Sequence, residues 1–159
     1  MRSPFTALLL LAAPLLAGCP NTDAAVFVDP SIESPVVAVT SSVLNTGVAG
    51  SFTLKLHLGA RASGPSQVNI GQFSIMDASM KTALVTPLAL DAGSTQLPVT
   101  VAQDSDVTVA LTFDDLFEKD LAGALCDPAG VVVSGTIEDS LQNTATPVDS
   151  AIFQPTGCP

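Results

Sequence analysis

Several residue types on which catalytic and binding sites depend are scarce in this chain of 159 residues, which has no tryptophan, no tyrosine and one histidine, His57. Carbohydrate sites commonly present Trp or Tyr platforms, so their absence argues against a glycoside hydrolase, although a catalytic carboxylate pair is defined in space and not by sequence. A Ser-His-Asp site would need His57 as its base, and the chain has neither a Gly-x-Ser-x-Gly elbow nor a glycine-rich phosphate loop. The sequence therefore predicts a protein that is not an enzyme and holds no cofactor.

Basic residues are also scarce, since five Lys and Arg stand against fifteen Asp and Glu and give a formal net charge of −10. Binding of nucleic acid requires clustered cations that neutralise phosphates, and the basic residues after the first twenty positions are too few and too scattered for that. The same charge argues against electrostatic attraction to anionic lipid. We therefore expect no nucleic-acid partner and no small-molecule substrate. The basic residues concerned are Lys55, Arg61, Lys81 and Lys119.

The apolar stretch at the start of the chain, residues 5–16, is too short to span a bilayer as a helix, which takes about 20 residues. It follows the basic start Met1-Arg2-Ser3 and precedes small residues and a cysteine. A basic start, an apolar core and a small-residue cleavage site, in that order, are typical of an export signal.

The segment Leu16-Ala17-Gly18-Cys19 resembles the lipobox of bacterial lipoproteins. The resemblance implies a signal peptide at residues 1–18, lipidation of the Cys19 sulfur, and attachment to the membrane of the cell envelope through acyl chains. Residues 19–25 would then be the lipidated cysteine and a short tether, and residues 26–159 a single domain of ordinary size. In that family an aspartate after the cysteine commonly marks inner-membrane retention; Pro20 stands there in this chain, which favours the outer membrane.

Two cysteines remain, Cys126 and Cys158, and export places them in a compartment where disulfides form and persist. We predict that they pair. A metal site would require histidine or further cysteine as ligands nearby, and the single histidine is elsewhere in the chain. A free reactive thiol would want basic neighbours, whereas Cys126 is followed by Asp127.

Apolar residues recur at period two along the chain, which predicts β-strands with one buried and one solvated face. The clearest case is residues 51–58, and the apolar phase shifts between Ile70 and Phe73, which indicates a bulge at Gly71-Gln72. The spacing predicts an all-β antiparallel sandwich of seven to nine strands. Residues 114–125 are the one stretch that fits a short helix, with Asp114 or Asp115 as its cap. Other predicted strands include residues 26–28, 37–43, 84–90, 97–101, 107–113, 131–138 and 151–153.

Residues 43–56, with Asn45-Thr46-Gly47 as a turn between two strands, are similar to a hairpin of bacterial immunoglobulin-like domains of the cell-adhesion-related kind. Residues 92–113 are similar to the second half of such domains. The resemblance implies an immunoglobulin-like β-sandwich and says nothing of an activity. The chain departs from the antibody type because it has no core Trp or Tyr, and because its predicted disulfide does not join two central strands.

Other candidate sites have simpler explanations in the same pattern. The alternation turns His57 away from the core, so a zinc or copper site that combines it with Met76 or Met80 is not favoured over a solvated strand residue and two gap-filling methionines. Acidic residues before and after residues 107–113 could offer calcium the oxygen ligands it prefers, but they should lie at opposite ends of one strand and match no EF-hand loop. These acidic residues are Asp104, Asp106, Asp114, Asp115, Glu118 and Asp120.

Together these features predict a non-catalytic, lipid-anchored envelope lipoprotein whose sandwich is an interaction or structural module, with the membrane and other envelope proteins as its partners. The alternatives are an accessory subunit of a larger envelope or secretion assembly, and a small hydrolase or metal-binding protein. An exposed edge strand with few charges would favour partner binding by strand addition, and residues 97–101, interrupted by Pro98, are the candidate.

Overall fold

Alternating apolar residues build eight strands that form two facing antiparallel sheets, as predicted, and one short helix connects them. The computed structural model describes residues 24–42, 44–118, 120–142 and 144–158. The predicted signal peptide and Cys19, the predicted lipidation site, lie outside these residues. The elements are β1 (Asp29–Ser41), β2 (Thr46–Leu58), β3 (Ser66–Asp77), β4 (Ala83–Val85), β5 (Val99–Val101), β6 (Ser105–Phe117), α1 (Ala122–Leu125), β7 (Val131–Asp139) and β8 (Ala145–Asp149).

The first sheet has the strand order β1-β2-β6, so β2 is paired on both sides. The second has the order β4-β3-β7-β8, with β5 also beside β3. This matches the ABE and CFG strand sets of the immunoglobulin fold, with β1, β2 and β6 in the first set and β3, β7 and β8 in the second. The predicted alternation over residues 51–58 is confirmed, because Phe52 is 2% exposed and Leu54, Leu56 and Leu58 are fully buried.

Large side chains from both sheets meet in one apolar core. Phe73 of β3 is fully buried, and its ring lies with its centroid 5.3 Å from that of Phe52 on the facing sheet. Gly135 lies opposite Phe73 on β7, where a Cβ would overlap the Phe73 ring. The predicted bulge is confirmed by a register shift between Ile70 and Phe73 on β3, which turns Phe73 into the core.

The prediction of a helix over residues 114–125 is wrong in its bounds. Asp114 and Phe117 continue β6, paired with Ala49 and Thr46 of β2, and only Ala122–Leu125 is helical. The pairing with β2 overrides the helical spacing of the apolar residues. No aspartate occupies the cap position, which is Leu121.

Four shorter predictions also need correction. Residues 26–28 precede β1 instead of forming a strand, and of residues 84–90 only the beginning belongs to β4. Residues 151–153 follow β8 and contribute a single bridge, Phe153 to Val131. In the first hairpin β1 ends at Ser41 and β2 begins at Thr46, and the Ser42 N–H donates to the Asn45 carbonyl at 2.9 Å, so the predicted Asn-Thr-Gly turn already lies partly in β2.

The sandwich has two poles, which fix where each candidate site lies. At the N-terminal pole β1 begins, β2 ends and β6 begins, as the pairs Asp29–His57 and His57–Asp106 show. At the hairpin pole lie the β1–β2 turn, the end of β6 and α1. The strand β2 has 13 residues, so the poles are about 40 Å apart.

Candidate functional site

A buried carboxyl group, which the sequence analysis did not single out, binds the backbone just before the first strand. Asp139, at the end of β7, is 2% exposed, and its Oδ2 accepts the Val28 N–H at 2.8 Å. Its Oδ1 accepts the Leu141 N–H at 2.8 Å and a short hydrogen bond from the hydroxyl of Ser66, which is fully buried. We call Asp139, Ser66 and the Val28 amide the clasp.

The clasp holds the segment before β1 in place by hydrogen bonds. Its hydroxyl and carboxyl groups are already used in hydrogen bonds, and among the described residues no buried side-chain nitrogen or oxygen lacks a partner. Ser140 adds a further bond, since its Oγ accepts the Gln67 N–H at 2.9 Å and lies 3.2 Å from the Ser66 Oγ. The clasp therefore attaches the segment before β1 to the second sheet, 111 residues away in sequence.

An open polar cleft of about 410 Å³ lies over the clasp, on the outer side of the second sheet. Its walls are amide, hydroxyl and carboxyl groups, which could hold a small polar group by hydrogen bonds. The described walls include no histidine, cysteine, lysine or arginine, so they offer no cation. The lining residues are Gln67, Asn69, Glu138, Asp139, Ser140, Gln142, Thr144 and Ala145.

His57 lies on the outer face of the first sheet, as the strand alternation predicted, with 32% of its side chain exposed. Its Nδ1 is 2.8 Å from Asp106 Oδ1 on the neighbouring strand, and Lys55 Nζ is 3.7 Å from Asp106 Oδ2. This histidine–aspartate pair was missed by the sequence analysis, because it depends on the register of two strands 49 residues apart. Met76 and Met80 belong to the hairpin-pole side of the second sheet, so the fold does not bring them to His57.

The acidic residues proposed as a calcium site are separated, as expected, by the length of β6. Asp104 and Asp106 lie at the N-terminal pole, and Asp114 and Asp115 near the other end of the strand. In the described parts of the chain, no group of three or more His, Cys, Asp or Glu side chains is close enough together to hold a metal ion.

One aspartate has a perturbed acidity. The Lys81 backbone N–H donates to Asp77 Oδ1 at 2.9 Å and holds the pKa of Asp77 below its ordinary value of 3.8, with help from the Thr82 N–H and the Ser79 hydroxyl. These bonds close the turn between β3 and β4, so the lowered pKa has its cause in the turn.

Cys126 and Cys158 lie at the hairpin pole with their sulfurs bonded and their Cα atoms 5.6 Å apart. The bond joins the end of α1 to the last segment of the chain, which runs along β1: the Thr156 N–H donates to the Val37 carbonyl and the Val39 N–H to the Thr156 carbonyl, both at 2.8 Å. Gly157 has φ +74°, and a Cβ there would overlap the Val39 carbonyl oxygen.

None of the helices in the described ranges is long and apolar enough to cross a membrane. In comparisons with protein-family models, curated proteins and solved structures, no match to this chain was found.

Proposed function

We propose that this chain is a bacterial lipoprotein, anchored in the cell envelope through Cys19, whose immunoglobulin-like sandwich is a non-catalytic interaction or structural module. The observation that carries the proposal is Leu16-Ala17-Gly18-Cys19 at the end of a short apolar run with a basic start. The outer membrane is the proposed site of attachment, because Pro20 follows the cysteine.

The clasp supports this proposal by giving the anchor a defined place on the domain. Val28 is nine positions after Cys19, so the proposed lipid is at most about 30 Å of extended chain from the sandwich. The N-terminal pole would then face the bilayer, and the hairpin pole would lie about 40 Å further out. A module held in this way presents its sheet faces and its far pole to other envelope components.

The arrangement of polar groups supports a role without catalysis. His57 has Asp106 as a partner but lies on an open sheet face, and the two bonded cysteines are at the opposite pole. The clasp carboxyl group accepts three hydrogen bonds. Catalysis by acid, base or nucleophile requires such groups to converge on one reacting atom.

Labelling with a fatty-acid probe tests the anchor. The whole chain, expressed in a bacterial host, should incorporate the probe and fractionate with membranes. Cys19→Ser should abolish labelling and leave unprocessed precursor. Cys158→Ser is the matched control and should label as the parent chain does. Equal labelling of the Cys19→Ser variant and the parent would overturn the proposal.

A further inference from the structure

The β6 strand has a free edge over Asp106–Ala110. Thr112 marks the direction of this edge: its N–H donates to the Asp91 carbonyl at 3.0 Å and its carbonyl accepts the Asp91 N–H at 2.8 Å, both on the side away from β2. Backbone groups alternate sides along a strand, so those of Asp106, Thr108 and Ala110 point the same way. Within the part of the chain that the structure describes, no hydrogen bond reaches the outward groups of Thr108 and Ala110.

Every other sheet edge among the described residues is blocked. The β1 edge carries Pro30 and Pro35, a bulge between Glu33 and Val36, and the segment around Thr156 as a cover. The β8 strand has five residues with Pro147 at its centre. The β4 and β5 strands have three residues each, so the edge predicted from sequence at residues 97–101 is too short to serve. Proline, bulges and covers prevent edge pairing, and β6 has none of these three over Asp106–Ala110, where Asp106 is the one charged residue.

The charges around the free edge define what would pair with it. Asp104 and Asp106 lie at one end and Asp91 and Asp114 at the other, all with exposed side chains. Between them Thr108 and Ala110 are small and uncharged. A second copy of β6 is disfavoured, because antiparallel pairing centred on Thr108 would direct Asp104 of one copy to Thr112 of the other, a place that Asp91 already occupies, and each chain carries a net charge of −10.

We infer that the free edge of β6 binds an extended segment of a partner protein by strand addition, and that this segment carries Lys or Arg at both ends of a short stretch of small or β-branched residues. Backbone hydrogen bonds to Thr108 and Ala110 supply the affinity. Asp106 is already paired with His57 and Lys55, so Asp104 at one end and Asp91 and Asp114 at the other select the basic ends. The inference rests on the proposed role as an interaction module and names the surface that performs it.

The test uses the whole chain purified in mild detergent and a synthetic heptapeptide with Lys at both ends and alternating Thr and Val between them. Binding is measured by calorimetry, and amide hydrogen exchange is followed at Thr108 and Ala110. We expect both amides to exchange freely in the chain alone and to become protected by the peptide. A heptapeptide with Glu at both ends should bind at least tenfold more weakly. A Lys-ended peptide methylated on the amides that face β6 should lose binding.

Two variants complete the experiment. Ala110→Pro removes an outward N–H that the β2 ladder does not use, and should weaken binding at least tenfold. Ala110→Ser keeps that N–H and should bind as the parent does. If Ala110→Pro fails to fold, the methylated peptide on the parent chain carries the test.

Equal binding of the parent and methylated peptides would overturn the inference, and so would protection of both amides in the chain alone. Sedimentation that shows a dimer abolished by Ala110→Pro would assign the edge to a second copy and overturn it as well. Failure of this inference is distinguishable from failure of the anchor, because peptide binding does not depend on Cys19. A chain that incorporates the fatty-acid probe but does not bind the peptide would support the anchor and overturn the strand-addition surface.

Discussion

Removal of the clasp carboxyl group should destabilise the protein far more than removal of an exposed aspartate. In Asp139→Ala the buried Val28 N–H loses its acceptor, and the Leu141 N–H and the Ser66 hydroxyl lose theirs. Each buried donor left without a partner costs about 1–3 kcal/mol. Water can reach half-buried Leu141, and the Ser66 hydroxyl can turn to Ser140, so we expect a total loss of about 3–5 kcal/mol.

Two further variants separate the carboxyl group from the volume it occupies. Asp139→Asn keeps the shape and one acceptor oxygen but faces the other donors with an amide N–H, so its cost should be intermediate, about 1–3 kcal/mol. Asp149→Ala removes an exposed acidic residue of β8 and should change stability by less than about 0.5 kcal/mol.

Urea unfolding of the whole chain, followed by circular dichroism because there is no Trp or Tyr for fluorescence, measures these differences. The midpoint should fall in the order parent, Asp139→Asn, Asp139→Ala, and amide exchange at Val28 should accelerate in both clasp variants. If Asp139→Ala unfolds within about 0.5 kcal/mol of Asp149→Ala, the clasp does not hold the N-terminal segment and the reasoning is refuted.

Three other measurements test separate features. By mass spectrometry, the intact protein should be two hydrogen atoms lighter than its reduced form, and two alkylatable thiols in the native protein would contradict the pairing. Replacing both cysteines, Cys126→Ser with Cys158→Ser, should lower the free energy of unfolding by about 4 kcal/mol, since the bond closes a loop of 32 residues. Because the pKa of Asp77 is lowered, its contribution to stability is present above pH 3.8 and is lost as the pH falls through the lowered value, so the difference between parent and Asp77→Ala should shrink in acid; a constant difference would contradict this. His57→Ala should lower the free energy of unfolding by less than about 1 kcal/mol, and a bacterial strain that carries this variant should have the phenotype of the parent strain. A changed phenotype with unchanged stability would reopen the enzyme hypothesis.

The strands could be predicted from sequence wherever one face of the strand is buried and the other is exposed to solvent. In β2 the alternation from Phe52 to Leu58 carries the whole signal, and the phase shift between Ile70 and Phe73 marks the bulge of β3. Both are local patterns of side chains, and the packing against a facing sheet preserves them.

The same local pattern failed where it fits two structures. Leu116, Phe117, Leu121 and Leu125 satisfy helical spacing, yet Leu116 is 70% exposed and Phe117 pairs with Thr46 of β2. What decides between strand and helix here is a partner strand that lies about 70 positions earlier in the chain. A spacing rule applied to one segment does not contain that information.

The clasp and the β6 edge could not be predicted, for a related reason. Asp139 and Val28 are 111 residues apart, and an aspartate at the end of a strand reads as a solvated turn residue until the fold brings a backbone N–H to it. The open edge depends on strand order, since the same sequence beside another strand would be fully paired. The clasp and the free edge therefore depend on which distant strands pair, and sequence patterns within one segment do not show this.

Clasp and anchor are linked in the proposed lipoprotein, because the clasp sets the length of the tether. The first part of β1 pairs only with β2, and its ladder is interrupted by the bulge between Glu33 and Val36. Without the Val28–Asp139 bond, β1 could fray as far as this bulge, and the tether would gain six residues, or about 20 Å of extended chain. Beyond the bulge the segment around Thr156 covers β1, so fraying would stop there. The clasp thus keeps the N-terminal pole near the proposed membrane surface, and it keeps the free edge of β6, which begins at the same pole, at a fixed height above it.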